Sequence, residues 1–195
     1  MIVPPRHALR ASRALAHRWL YPPRFPPSPS AAGPTVHVRP WRRADAGSLA
    51  GLLGCTECEA LDWISKQPLR LNFGRSAAFA IVARDSDEIV GRVELIVRDW
   101  ESGRAEVGYH VASPARGRGM ATEAVGIVAR WALGDAGLSR VELLTDPCNR
   151  ASQRVAEKCD FVLRGERSGQ ELYELRATAM RNSRPSMRVE SPPPS

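Results

Sequence analysis

The sequence predicts an α/β chain built around one mixed β-sheet, and three observations point there. Strand-like and helix-like segments follow one another over residues 35–178 in an order that a doubly wound parallel sheet does not have. A strand ending at Ala112 runs through the glycine-rich turn Arg116-Gly117-Arg118-Gly119-Met120-Ala121 into a helix. A second strand, at residues 140–145, leads through Asp146-Pro147-Cys148-Asn149 into another helix.

Taken in order, residues 35–41 alternate as a first strand, and residues 44–54 and 57–67 carry helical patterns. Residues 77–83 are apolar throughout, as in a central strand covered on both sides. Residues 89–100 form a long strand after the turn Asp85-Ser86-Asp87, and Glu101-Ser102-Gly103 returns the chain into residues 104–112 as its antiparallel neighbour. Beyond the glycine turn, Ala121, Ala124, Val125, Val128, Trp131 and Ala132 recur on one helical stripe, ended by Gly134 and Gly137. Asn149 is a natural N-cap for a helix reaching Cys159, and strands near residues 161–167 and 171–176 close the fold. There is no internal repeat.

At 195 residues the chain is one domain by length, and no apolar run approaches the roughly 20 residues of a membrane span. The net charge of +7 sits at the ends. Residues 1–34 carry five Arg and no acid, residues 179–195 carry three Arg and Glu190, and residues 35–178 balance at 20 against 20. A nucleic-acid-binding domain would carry its basic patch on the fold, so no nucleic acid is expected there. Residues 21–34 are Pro-rich and read as a linker. Before them, Arg6, Arg10, Arg13 and His17 fall opposite Ala8, Ala11, Leu15 and Trp19, the pattern of a short basic amphipathic helix. Residues 1–34 are either a disordered arm, with the protein cytoplasmic, or an organellar presequence. Residues 179–195 read as a disordered tail.

Cys55 and Cys58 have metal or redox spacing, but no second pair or histidine cluster completes a site, so no metal is expected. Cys159 lies on an apolar stripe and reads as a buried thiol.

A glycine turn that opens a helix aims successive backbone N–H groups at one point, backed by the positive end of the helix dipole. Arg116 to Ala121 therefore form a cradle for a pyrophosphate. Thr122 stands where a dinucleotide fingerprint needs its third glycine, and a Walker A loop would need Gly-Lys-Ser/Thr. In residues 104–112 a period of two puts Glu106, Gly108, His110 and Ala112 on one face and Val107, Tyr109 and Val111 on the other, with the core. Ser152 shares the inward face of Val155, Ala156 and Cys159, where a hydroxyl either bonds back to its helix or has another task.

Arg-Pro-Trp-Arg near the first strand, Ala-Glu-Val-Gly-Tyr-His-Val, the glycine turn, and Asn-x-x-Ser-x-x-Val-x-Glu-Lys-x-x-Phe occur in the same order as in the GNAT superfamily of N-acetyltransferases. Within it they look like the Rim-type branch, which acetylates ribosomal-protein N-termini. The resemblance spans residues 36–175. It implies the GNAT fold, a mixed, mostly antiparallel sheet with helices on both faces. It also implies acetyl-coenzyme A as donor, a primary amine as acceptor (a protein N-terminal α-amino group or a small molecule), and a monomer or homodimer. A non-catalytic acyl-coenzyme A-binding or partner-binding module of the same fold is the alternative.

Carried over residue by residue, backbone N–H groups of Arg116, Gly117, Arg118, Gly119, Met120 and Ala121, with Thr122, would hold the pyrophosphate. Backbone of Val111 and Ala112 would pair with the pantetheine arm along a splayed sheet edge, and Asn149 would bond that arm. Ser152 would sit near the thioester sulfur, and the departing thiolate would take a proton or hydrogen bond from Ser152 or from Tyr173, whose stronger reading is core packing. An α-amino group of pKa about 8 must lose a proton before it attacks. Glu106 is the first candidate base and His110 the second, although Glu106 reads equally well as a solvated strand residue. The segment before Ala77 is short for this branch, and it normally shapes the acceptor pocket. Asp160 stands where the family has glycine, in a left-handed position that costs an Asp about 1 kcal/mol.

Overall fold

The computed structural model describes Phe25 and residues 31–177 of the chain. The basic helix expected within residues 1–24 and the tail at 179–195 lie outside the described residues. The elements are β1 (Ala31–Ala32), β2 (Val36–Pro40), α1 (Ala46–Leu53), α2 (Glu57–Asn72), β3 (Ser76–Ala83), β4 (Ile89–Asp99), β5 (Arg104–Val111), α3 (Met120–Gly134), β6 (Arg140–Thr145), α4 (Arg150–Lys158), β7 (Val162–Arg167) and β8 (Gln170–Arg176). They build one sheet in the order β1-β2-β3-β4-β5-β6-β8-β7. Every neighbouring pair is antiparallel except β5 and β6, which run parallel and are joined by the α3 crossover.

Cross-strand partners share a face, so the register divides the sheet cleanly. Val38, Phe79, Ile81, Val93, Leu95, Ala105, Val107, Val141, Leu143 and Leu175 pack beneath α3 and α4 in the larger core. Ala78, Ala80 and Val82 point the other way, against α1 and α2. β3 is therefore buried at every position, which explains its uninterrupted apolar run. Helices cover both faces, and the mixed, mostly antiparallel sheet expected from the sequence is the one observed.

Two boundaries differ from the sequence reading. The helix expected at residues 57–67 continues through Pro68 to Asn72. Pro68 removes one backbone donor, but Leu71 packs against the larger core and holds the extra turn in place. Its start is set by a reciprocal cap, in which Glu59 N–H donates to Thr56 Oγ1 at 3.3 Å and Thr56 N–H donates to Glu59 Oε2 at 2.9 Å.

The second difference concerns the N-terminal arm. Residues 1–34 were read as separate from the fold, yet Ala31–Ala32 pair with β2 and Phe25 is buried. The Phe25 ring stacks on Trp131 at a centroid distance of 5.2 Å and tilts against Trp100 at 5.5 Å. Composition marks the stretch as linker because of its prolines, and it shows neither the Phe25 contact nor the Ala31–Ala32 pairing. Phe25→Ala should destabilise the protein by about 3 kcal/mol in urea unfolding, because it opens a void between two tryptophans. Unchanged stability would show that the ring is not seated there.

Asp160 adopts the left-handed conformation expected of it, at φ 62°. Asp160→Gly should raise unfolding free energy by about 1 kcal/mol in the same measurement, since glycine reaches that conformation without strain.

Candidate active site

The site begins where β5 leaves β6. The two strands are joined only at Arg104–Arg140, Ala105–Val141 and Glu106–Glu142, and then diverge. Ala112 N–H donates to the Val90 carbonyl at 2.8 Å, so the backbone groups of Ala112, His110 and Gly108 face β4. By alternation those of Val107, Tyr109 and Val111 face the gap. Of the two residues expected to offer backbone there, Val111 does and Ala112 does not. The Ala112 carbonyl also accepts from Ala115 N–H at 2.9 Å, while the Val111 carbonyl accepts from Arg116 Nε at 3.0 Å. Gly91, paired with Val111 on β4, lets the strands approach closely, since a Cβ there would lie 2.3 Å from the His110 carbonyl oxygen.

At the head of the gap lies the glycine turn. A short 3₁₀ turn at Ser113–Ala115 is followed by Gly117 at φ 76° and Gly119 at φ 79°, after which α3 starts without a side-chain cap. Glu123 N–H makes the first helical bond, to Gly119 O at 3.0 Å. The N–H groups of Gly117, Arg118, Gly119, Met120, Ala121 and Thr122 have no partner among the described residues, so an anion set there meets a row of donors and the helix dipole. Arg116 N–H is engaged, though weakly, with Ser113 O at 3.3 Å. The turn is tied down from two sides. Arg118 pairs with Asp85 of the β3–β4 turn at 2.8 Å, and that hydrogen bond holds the Asp85 carboxyl below the usual aspartate value. The Glu123 carboxylate accepts from Thr35 N–H at 3.1 Å and Val36 N–H at 3.2 Å, fixing the first turn of α3 to the start of β2.

On the α3–α4 face, Asn149 Oδ1 accepts from Ser152 N–H at 3.0 Å and caps α4, leaving its amide NH₂ to donate elsewhere. Ser152 is buried, and Tyr109 Oη donates to its Oγ at 3.1 Å. Burial raises the Tyr109 hydroxyl above its ordinary value, against the opposing pull of the Ser152 bond. Sequence periodicity had placed Tyr109 in the core. The ring body is there, but the polar tip reaches the serine, as a buried tyrosine hydroxyl must find a partner. Tyr173 is buried on the same face, and its hydroxyl donates to Glu171 Oε2 at 3.2 Å, which supports its packing role. Cys159 Sγ donates to the Thr122 carbonyl at 3.2 Å, and burial pushes the thiol up to about 11. It is not a nucleophile near neutrality.

The opposite face carries Glu106 and His110, both half-buried. Glu106 is held by Arg98 Nε at 3.0 Å. Beside it, the buried Glu142 takes Arg167 at 2.7 Å and Arg104 at 3.4 Å, and the buried Glu174 takes Arg176 at 2.7 Å. Burial alone would raise the Glu142 carboxyl, but its arginine partners outweigh it and the net shift is downward. Glu174 is lowered chiefly by the Arg176 bond. Among the described residues no group of three or more His, Cys, Asp and Glu is placed to hold a metal, and no helix is long and apolar enough to cross a membrane.

Residues 35–162 match the family described as "Acetyltransferase (GNAT) domain". The chain is 30% identical over 92 residues to "Uncharacterized N-acetyltransferase p20" of Bacillus licheniformis, covering 47% of this chain and 52% of that protein. It is 30% identical over 152 residues to "Probable N-acetyltransferase YjcK" of Bacillus subtilis, covering 68% of this chain and 83% of the relative. The chain thus spans about half the length of several of the curated relatives it matches. The solved structure of Mycobacterium smegmatis RimJ in complex with CoA-disulfide has the same fold, with a TM-score of 0.65 at 23% identity over 76% of this chain and 88% of that one.

Because Glu142 and Glu174 are depressed below the ordinary glutamate value of 4.5, the stability they contribute is complete above that pH and is lost as pH falls through their folded values. Thermal unfolding should be level from about pH 7 to 5.5 and fall below about pH 4.5. Arg167→Gln should make the acid-side fall shallower by weakening that downward shift.

Proposed function

The chain belongs to the GNAT acetyltransferase family, and from that premise we propose that it transfers the acetyl group of acetyl-coenzyme A to a primary amine. The observation that carries the reading is the alignment of two open features. One is the row of partnerless N–H groups from Gly117 to Thr122, and the other is the gap that opens beneath them between β5 and β6. A pyrophosphate suits the first, and an extended amide-bearing arm suits the second.

In this reading the cradle binds the pyrophosphate, the Asn149 amide and the gap-facing backbone of Tyr109 and Val111 hold the arm, and a backbone N–H on that edge stabilises the oxyanion formed on attack. Ser152 donates a hydrogen bond to the departing thiolate, with Tyr109 behind it as the source of the proton. The amine arrives from the opposite face, where Glu106 or His110 takes its proton. The acceptor class is a protein N-terminal α-amino group or a small amine, by analogy with the Rim-type neighbours, whose fold this chain shares.

Thermal unfolding of the full chain with acetyl-coenzyme A tests the donor. At about 100 times Kd the ligand should add about 2.7 kcal/mol, and Gly119→Asp should abolish the shift by setting a carboxylate in the cradle. Ser152→Ala should keep the shift while reducing turnover about a hundredfold on peptides that begin with Ala or Ser, or on spermidine. Stabilisation without turnover on any of these amines favours a non-catalytic acyl-coenzyme A-binding role. No stabilisation at millimolar ligand rejects the donor assignment.

A further inference from the structure

Four carboxylates rise from the acceptor face between β4 and β8: Glu94, Glu106, Glu142 and Glu174. Three are held by guanidinium groups, Glu106 by Arg98 at 3.0 Å, Glu142 by Arg167 at 2.7 Å and Glu174 by Arg176 at 2.7 Å. Glu94 is half-buried and has no hydrogen-bond or ion-pair partner among the described residues. Arg92, two residues along the same strand face, makes no bond to it. Unpaired and only half-buried, the Glu94 carboxylate is open to a cation brought beside it.

Its surroundings say where that cation would sit. Glu94 pairs across the sheet with Gly108, which lies two residues beyond the last joined rung, Glu106–Glu142, at the point where the gap opens. Gly108 is exposed, and a Cβ there would meet nothing within 4 Å. Cross-strand neighbours stand about 5 Å apart, so the bare backbone of Gly108 leaves room between the Glu94 carboxylate and the gap. On the other side, β3 offers only the small Ala78, covered by α2.

We infer that Glu94 and the open backbone at Gly108 form the subsite that receives the acceptor's ammonium group and sets it beside the acyl carbon. The inference rests on the acetyl-transfer reading and deepens it. Substrates are selected for a positive charge on the reacting nitrogen, and Glu94 determines that specificity. Proton removal belongs to a different residue on the same face.

A probe independent of acceptor identity is S-(2-aminoethyl)-coenzyme A, which carries an ammonium just beyond the sulfur, compared with its neutral counterpart S-propyl-coenzyme A and with plain coenzyme A. Calorimetric titration of the full-length protein should give about tenfold tighter binding of the ammonium probe than of the neutral one, as expected of a charge-assisted hydrogen bond. Glu94→Gln should erase that preference while binding plain coenzyme A as before, which also reports an intact fold. Glu106→Gln should retain the preference. A preference that survives Glu94→Gln, or that disappears in Glu106→Gln instead, overturns the assignment, as does the absence of any preference in the native protein. If the native protein binds no coenzyme A at all, the donor reading itself fails and the subsite falls with it.

Discussion

Everything at the site follows from the parting of β5 and β6 after three rungs. A parallel pair normally continues until one strand ends, because each rung satisfies backbone groups that water must otherwise reach. Here the N–H and C=O groups of Tyr109 and the N–H of Val111 face a gap inside an otherwise continuous sheet, while the Val111 carbonyl accepts from Arg116 Nε. α3 connects the two strands that border that gap. It follows β5, packs against the larger core and delivers the chain into β6. The bonds from the start of β2 to the Glu123 carboxylate hold its first turn, and the Arg118–Asp85 pair holds the glycine turn before it, where the row of open donors begins.

The sheet separates two kinds of chemistry. The α3–α4 face is largely apolar around the gap, with the Tyr109–Ser152 pair as a polar island. A hydrogen bond in such surroundings is electrostatically strong. The other face is an array of carboxylates and guanidinium groups, in which each buried glutamate is satisfied by more than one arginine. That array sets five arginines around two buried glutamates, and Glu94 stands out against it because it is not included. The gap between β5 and β6 opens where the two faces of the sheet come together beyond the last rung.

Much of this was legible in the chain, for identifiable reasons. Strand and helix positions follow from local periodicity, and the left-handed turn positions follow from Gly117 and Gly119, whose sequence context is itself the signal. The cap at Asn149 is equally local. What was missed depends on distant partners. The Tyr109 hydroxyl reads as core until α4 is placed, because its partner lies 43 positions away. Ala112 reads as a gap-facing residue until the Val90 bond shows which way its backbone turns. Glu94 is distinguished from Glu106 only by the absence of an arginine, which no pattern in one strand reveals. Phe25 sits among prolines, where composition outweighs a single aromatic ring.

That ring has a consequence for how the protein is made. Phe25 leaves the ribosome roughly a hundred residues before Trp131, the ring on which it stacks, a wait of several seconds at about 5–20 residues per second. Until α3 exists, the face that will receive it does not. The attachment of the N-terminal segment is therefore a late event in synthesis, and the nascent chain carries an exposed aromatic group through the whole assembly of β2 to β5. The flanking prolines lack the N–H that a sheet edge would bond, which disfavours capture of that stretch by another chain's sheet edge in the meantime.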